Sequence, residues 1–159
     1  MALTIEERSV THNTFVIERS YSAAPDRVFA AFADPEKKRR WFAEPEERQM
    51  GEFAMDFRPG GQEHYSFRIA TGPVAGSMLT NDGTYLDIVP DRRIVVASGM
   101  ALDERHISAS LATFELLPNG TGTRLIFTHQ AVFFEGADGP QMREGGWRQL
   151  LDKLAAALA

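Results

Sequence analysis

The four histidines, His12, His64, His106 and His129, and the absence of cysteine frame the chemistry open to this 159-residue chain. Without cysteine there is no disulfide, no thiol nucleophile, no iron–sulfur cluster and no thiolate zinc site. No two histidines stand two to four residues apart, so no helix or strand offers a paired set to a metal. His64 alternates away from Tyr65 and Phe67, and so falls on the opposite strand face. His129 is the strongest polar candidate. It shares its strand face with Leu125, Phe127, Ala131 and Phe133. An imidazole among such groups is either a satisfied core histidine or one that hydrogen-bonds a ligand or acts as a base near neutral pH. Asp87 alternates with Tyr85 and Val89; it pairs with His129 only if both face inward, and otherwise faces solvent. Ser98-Gly99 lacks the glycine two residues earlier that a nucleophile elbow requires. Gly120-Thr121-Gly122 leads into a strand, so no helix N-terminus waits there for a phosphate. No catalytic residue, metal or cofactor is assigned.

Lys37-Lys38-Arg39-Arg40 is a basic run followed by the acidic stretch 44–47. Four consecutive helical residues spread around a turn, so the run is expected to be a solvated helix surface. The net charge of −5 also argues against nucleic acid as a partner. No apolar run reaches the roughly 18 residues of a membrane span. The acidic N-terminus has no apolar stretch of the signal-peptide kind. A cytoplasmic protein is the expectation.

The other resource is aromatic: eleven Phe, three Tyr and two Trp. Phe53, Met55 and Phe57 alternate with polar residues and face Tyr65 and Phe67 across the turn Pro59-Gly60-Gly61. Most of these residues fill a core. Trp41, Tyr65 and Tyr85 pair a large apolar surface with one polar tip, which suits lining a cavity for a mostly apolar ligand.

The elements that must carry these residues follow from periodicity. Residues 1–13 read as an arm and 14–159 as one domain. Thr14–Ser22 is a strand with Phe15, Ile17, Arg19 and Tyr21 on one face. Pro25 opens a helix. Asp34 caps and Pro35 starts a second short helix that runs to about Phe42, with Pro45 and its acidic neighbours ending it. Period-two segments then give six antiparallel strands, the last two joined at Pro118-Asn119-Gly120. Trp147, Leu150, Leu151, Leu154 and Leu158 recur at three- and four-residue steps, predicting a helix over 145–159. The glycines at 145 and 146 mark its start, let it approach the sheet closely, or leave room for a ligand. The fold class is α+β, with a curved sheet of about seven strands around a long C-terminal helix. The Gly-rich segment 133–140 reads as a gate over the cavity mouth, with Phe134 its key residue.

Taken in order, these segments resemble a known family. Ala24-Pro25-Asp26-Arg27-Val28-Phe29 with Asp34-Pro35 and Trp41 comes first, then Asp56-Phe57-Arg58-Pro59-Gly60-Gly61. Gly83 to Pro90 leading to Arg93-Ile94-Val95 follows, then Gly122-Thr123-Arg124-Leu125, Thr128-His129 and Gly146-Trp147. The pattern resembles the START-like (SRPBCC) helix-grip superfamily, and within it the homologues of the heat-shock chaperone ATPase activator. That resemblance implies a cavity between sheet and helix. Superfamily relatives bind lipids, sterols or polyketides, and some catalyse cyclisation.

The expected function is binding of a small apolar ligand, with Trp41, Phe57, Tyr65, Phe67, Tyr85, His129, Phe134 and Trp147 as ligand-binding residues. One alternative is a protein-interaction module with a chaperone or other partner; another is a cyclase- or hydrolase-like enzyme using His129. Exposed strand edges also make a homodimer an expectation.

Overall fold

The computed structural model describes residues 9–43 and 48–159. Strand β1, Thr11–Tyr21, begins three residues earlier than its β-rich core predicts and buries Phe15, Ile17 and Tyr21. Helix α1, Pro25–Ala33, turns Val28, Ala31 and Phe32 inward. The Asp34 carboxylate then accepts from the Glu36 and Lys37 amides and caps α2, Pro35–Lys38, as its sequence predicts. The chain continues through a π-helical turn, Arg39–Ala43, that buries Trp41, Phe42 and Ala43 in succession. The acidic stretch expected to end this helical region, 44–47, lies outside the described residues.

Six strands follow: β2 Arg48–Met55, β3 Gln62–Ile69, β4 Met78–Val89, β5 Arg93–Leu102, β6 Arg105–Asn119 and β7 Gly122–Phe133. The chain ends in helix α3, Pro140–Leu158. The sheet is antiparallel throughout, in the order β1-β7-β6-β5-β4-β3-β2. This is the seven-stranded helix-grip architecture that the periodicity predicts.

The turn Pro59-Gly60-Gly61 does more than reverse the chain. Gly60 has φ +83°, and a side chain on Gly61 would meet the Asp56 carbonyl at 1.9 Å. The Gly60 amide donates to the Tyr85 carbonyl, and the Tyr85 amide to the Gly61 carbonyl. Glycine here lets the turn dock on β4 beside Tyr85.

Two bulges decide which side chains face inward. Tyr85 pairs with Val96 but Asp87 with Val95, so Leu86 is an extra residue. The alternation therefore slips. Ile88 packs on the core, and Asp87 turns out to an ion pair with Arg93 at 2.6 Å. Asp87 thus takes the solvent-facing one of its two expected positions and does not pair with His129. On β6, Met100 faces Ser108 and Ala101 faces His106, leaving Ile107 as the extra residue; Ile107 and Ser108 are both buried.

Helix α3 covers the concave face with Arg143, Leu150, Leu151, Leu154 and Leu158. Tyr21 on β1 donates its hydroxyl to the Leu151 carbonyl at 3.0 Å, and burial holds its phenol pKa well above the ordinary value. Arg27 donates to the Leu158 carbonyl at the helix end, where a cation also suits the helix dipole. The helix starts at Pro140, five residues before the predicted point: proline suits its first position, and the buried face continues back to Arg143. Gly145 and Gly146 are therefore interior, and nothing lies within 4 Å of a Cβ on either. They neither start the helix nor bring it close to the sheet.

Candidate functional site

A cavity of about 550 Å³ opens between the sheet and α3. Tyr65, Phe67, Leu79, Met100 and Leu102 line it from the strands, and Met142, Gly146, Trp147 and Leu150 from the helix. Its rim comes from two loops. Residues 71–74 contribute Thr71, Gly72, Pro73 and Val74, and residues 136–138 close the other side. Val74 and Met142 are large apolar side chains left 42% and 69% exposed at this rim. Apolar surface left in water at a pocket mouth marks a place where a ligand would cover it.

Behind this space lies a smaller one of about 50 Å³, which shares Tyr65, Met100, Arg143 and Trp147 as walls. Its lining is more polar: Lys38, Glu63, Asn81, Ser98, Ser110 and His129 reach it. Two of these, Lys38 and Glu63, form buried contacts that the solvated reading of the basic run did not foresee. Lys38 is 7% exposed and donates to both carboxylate oxygens of Glu63, at 2.8 and 2.9 Å. The Tyr85 hydroxyl donates to the same carboxylate, and burial raises its pKa well above the ordinary value. The Lys38 ammonium also sits 4.9 Å from the centre of the Phe42 ring. The spacing held a signal: Lys38 stands four residues before buried Phe42, on the same helical side.

Arg143 is the second buried cation. Its guanidinium grips Asp138 at 2.7 and 2.8 Å, donates to Ser108 at 3.0 Å and lies over the Phe133 ring. It continues the three- and four-residue stripe of Trp147 and Leu150 toward the N-terminus, a signal that the glycines at 145 and 146 obscured.

His129 is 2% exposed. Its ring stacks on Phe15 at 4.7 Å and meets Phe127 edge-on at 6.0 Å. Burial pushes its pKa down to about 4; Arg143 adds to the shift and Asp138 opposes it. The imidazole is therefore neutral at pH 7, and its Nδ1 is buried with no hydrogen-bond partner.

The eight sequence-derived site residues divide. Tyr65, Phe67 and Trp147 line the large cavity, and Tyr65, Trp147 and His129 the small one. Trp147 touches the rings of Phe42, Phe114 and Phe127. Trp41 and Phe57 pack elsewhere. Trp41 donates its indole N–H to the Ala31 carbonyl and packs on Phe32, bordering a separate depression between α1 and the end of α3. Phe57 wedges between Phe29 and Tyr85, whose hydroxyl is committed to Glu63. Phe134 is half-buried beside the mouth, but the wall from its loop is Gly136, Ala137 and Asp138. His64 faces away, as its alternation predicts, bonded to Asp82 at 2.6 Å and near Glu52 at 3.1 Å. The Asp82 hydrogen bond is the main cause of its raised pKa. Among the described residues, no group of three or more His, Asp or Glu could hold a metal, and no helix is long and apolar enough to cross a membrane.

The family described as Activator of Hsp90 ATPase homolog 1-like protein matches residues 22–159. The chain belongs to that family. A solved protein of Rhizobium loti is 46% identical over 95% of this chain and 100% of its own, with a TM-score of 0.83. One from Rhizobium leguminosarum is 41% identical over 94% of this chain and 96% of its own, with a TM-score of 0.86. One from Chromobacterium violaceum is 29% identical over 92% and 96%, with a TM-score of 0.77. A comparison with curated proteins finds no match. The family match covers α1 through α3, and so every wall of the cavity described above.

Proposed function

We propose that the protein binds a small, mostly apolar molecule between its sheet and α3. The observation that carries this reading is the 550 Å³ cavity with aromatic and aliphatic walls, its exposed apolar rim, and open space over Gly146. A space of this size suits a drug-sized ligand. Interior glycine costs a helix roughly 1 kcal/mol, and here it leaves the roof open between the side chains of Met142, Trp147 and Leu150.

Uptake of a neutral apolar dye such as diphenylhexatriene tests the reading. Binding is expected to saturate at one dye per chain and to raise Tm by several degrees at saturating dye, since a ligand of the folded state stabilises it by mass action. Gly146→Leu fills the space under the roof and is expected to abolish uptake while the protein stays folded. No saturable uptake, or unchanged uptake by Gly146→Leu, would overturn the proposal.

A further inference from the structure

We infer that the small polar space behind the cavity seats an uncharged hydroxyl head of an otherwise apolar ligand, with His129 as its hydrogen-bonding partner. This deepens the reading of the cavity and rests on it. Three observations carry it. The first is size. One water needs roughly 10–15 Å³ of such cavity space, so about 50 Å³ admits a head group of only a few heavy atoms.

The second is charge. Both cations bordering the space already hold a carboxylate: Lys38 holds Glu63, and Arg143 holds Asp138. An anionic head would have to displace one of these buried partners, and a cationic head would have to displace a buried lysine or arginine. Removing one partner of a buried pair is strongly unfavourable. The formal charges there are balanced, so the head that fits is neutral.

The third is the His129 imidazole. Buried polar atoms nearly always have a partner, and each exception calls for a reason. His129 is 2% exposed, and its Nδ1 has none. A neutral imidazole offers one donor and one acceptor, and a hydroxyl can answer either. The apolar body of the ligand then lies in the larger space, past the shared walls Tyr65, Met100 and Trp147.

Displacement of diphenylhexatriene by three ten-carbon compounds tests the inference: 1-decanol, 1-chlorodecane and decanoate at pH 8. His129→Phe is expected to weaken 1-decanol about tenfold, the loss of one hydrogen bond, and to change 1-chlorodecane less than twofold. His129→Gln, which keeps a donor and an acceptor, is expected to restore most of the 1-decanol affinity. Should His129→Phe fail to fold, wild type against His129→Gln and His129→Leu gives the same comparison. Equal weakening of 1-decanol and 1-chlorodecane, or decanoate displacing dye at lower concentration than 1-decanol, overturns the head-group assignment while leaving the cavity reading intact. Absence of dye uptake by the wild type overturns both.

Discussion

Removing the Lys38 ammonium leaves the Glu63 carboxylate buried with the Tyr85 hydroxyl as its remaining partner. Lys38→Met is therefore expected to lower stability by about 3 kcal/mol or more, read by chemical denaturation. A loss below about 1 kcal/mol would be the behaviour of a solvated ion pair and would refute the buried one. His129 gives a pH dependence of definite sign. Its folded pKa of about 4 lies below the ordinary value of 6.5, so the unfolded chain takes up the proton first. Its contribution is complete above about pH 6.5 and is lost as pH falls toward 4, by up to about 3 kcal/mol at about 1.4 kcal/mol per pH unit. Denaturation midpoints between pH 7 and 4 should fall less steeply in His129→Phe than in wild type; equal slopes would refute the neutral buried imidazole. Both residues lie in readable strings, yet only His129 announced itself. An imidazole amid apolar alternation is conspicuous, whereas Lys38 sat in a basic run whose neighbours are exposed. What buries it is Glu63, 25 residues away, and no local pattern encodes that meeting.

Among the elements, α3 sets stability against space. Gly145 is exposed, interior to the helix and free of neighbours within 4 Å of a Cβ. Gly145→Ala is expected to stabilise the protein by about 1 kcal/mol and to raise Tm by about 2–4 °C, with dye uptake unchanged. Destabilisation would mean that this turn is not regular helix. The apolar stripe of α3 was legible from Trp147 onward. Its first turn was not, because Arg143 is polar and the two glycines weaken helix propensity. The strands were legible almost throughout, since one face is buried and the period is two. Asp87 is instructive: alternation with Tyr85 left two faces open to it, and a single extra residue at Leu86, which nothing in the composition of that strand marks, turns it outward.

At the scale of the whole molecule, the architecture followed from element order, because an antiparallel sheet with one apolar face must be covered by the available amphipathic helix. The site was only half legible. Tyr65, Phe67, His129 and Trp147 lie in or beside the cavity, the first three on the concave face and Trp147 on the helix that covers it. Trp41, Phe57 and Tyr85 lie among core side chains at the other end, where large aromatics pack on α1 and the π-helical turn. Strand alternation distinguishes the two faces of a sheet but not its two ends. The rim loop at 71–74 escaped notice for the opposite reason, being short and without periodicity.

The order of strands has a consequence in time. β1 pairs with β7, so Tyr21 waits for Thr123, 102 positions later. A growing chain adds roughly 5–20 residues per second, which leaves β1 without its sheet neighbour β7 for at least about 5 s. Long-range pairing of this kind also slows folding after release. During that interval a strand carrying Phe15, Val16 and Ile17 is open to chance pairing with other chains. The first strand made is thus among the last to be secured, and production of this protein should depend more on temperature and synthesis rate than its finished stability alone implies.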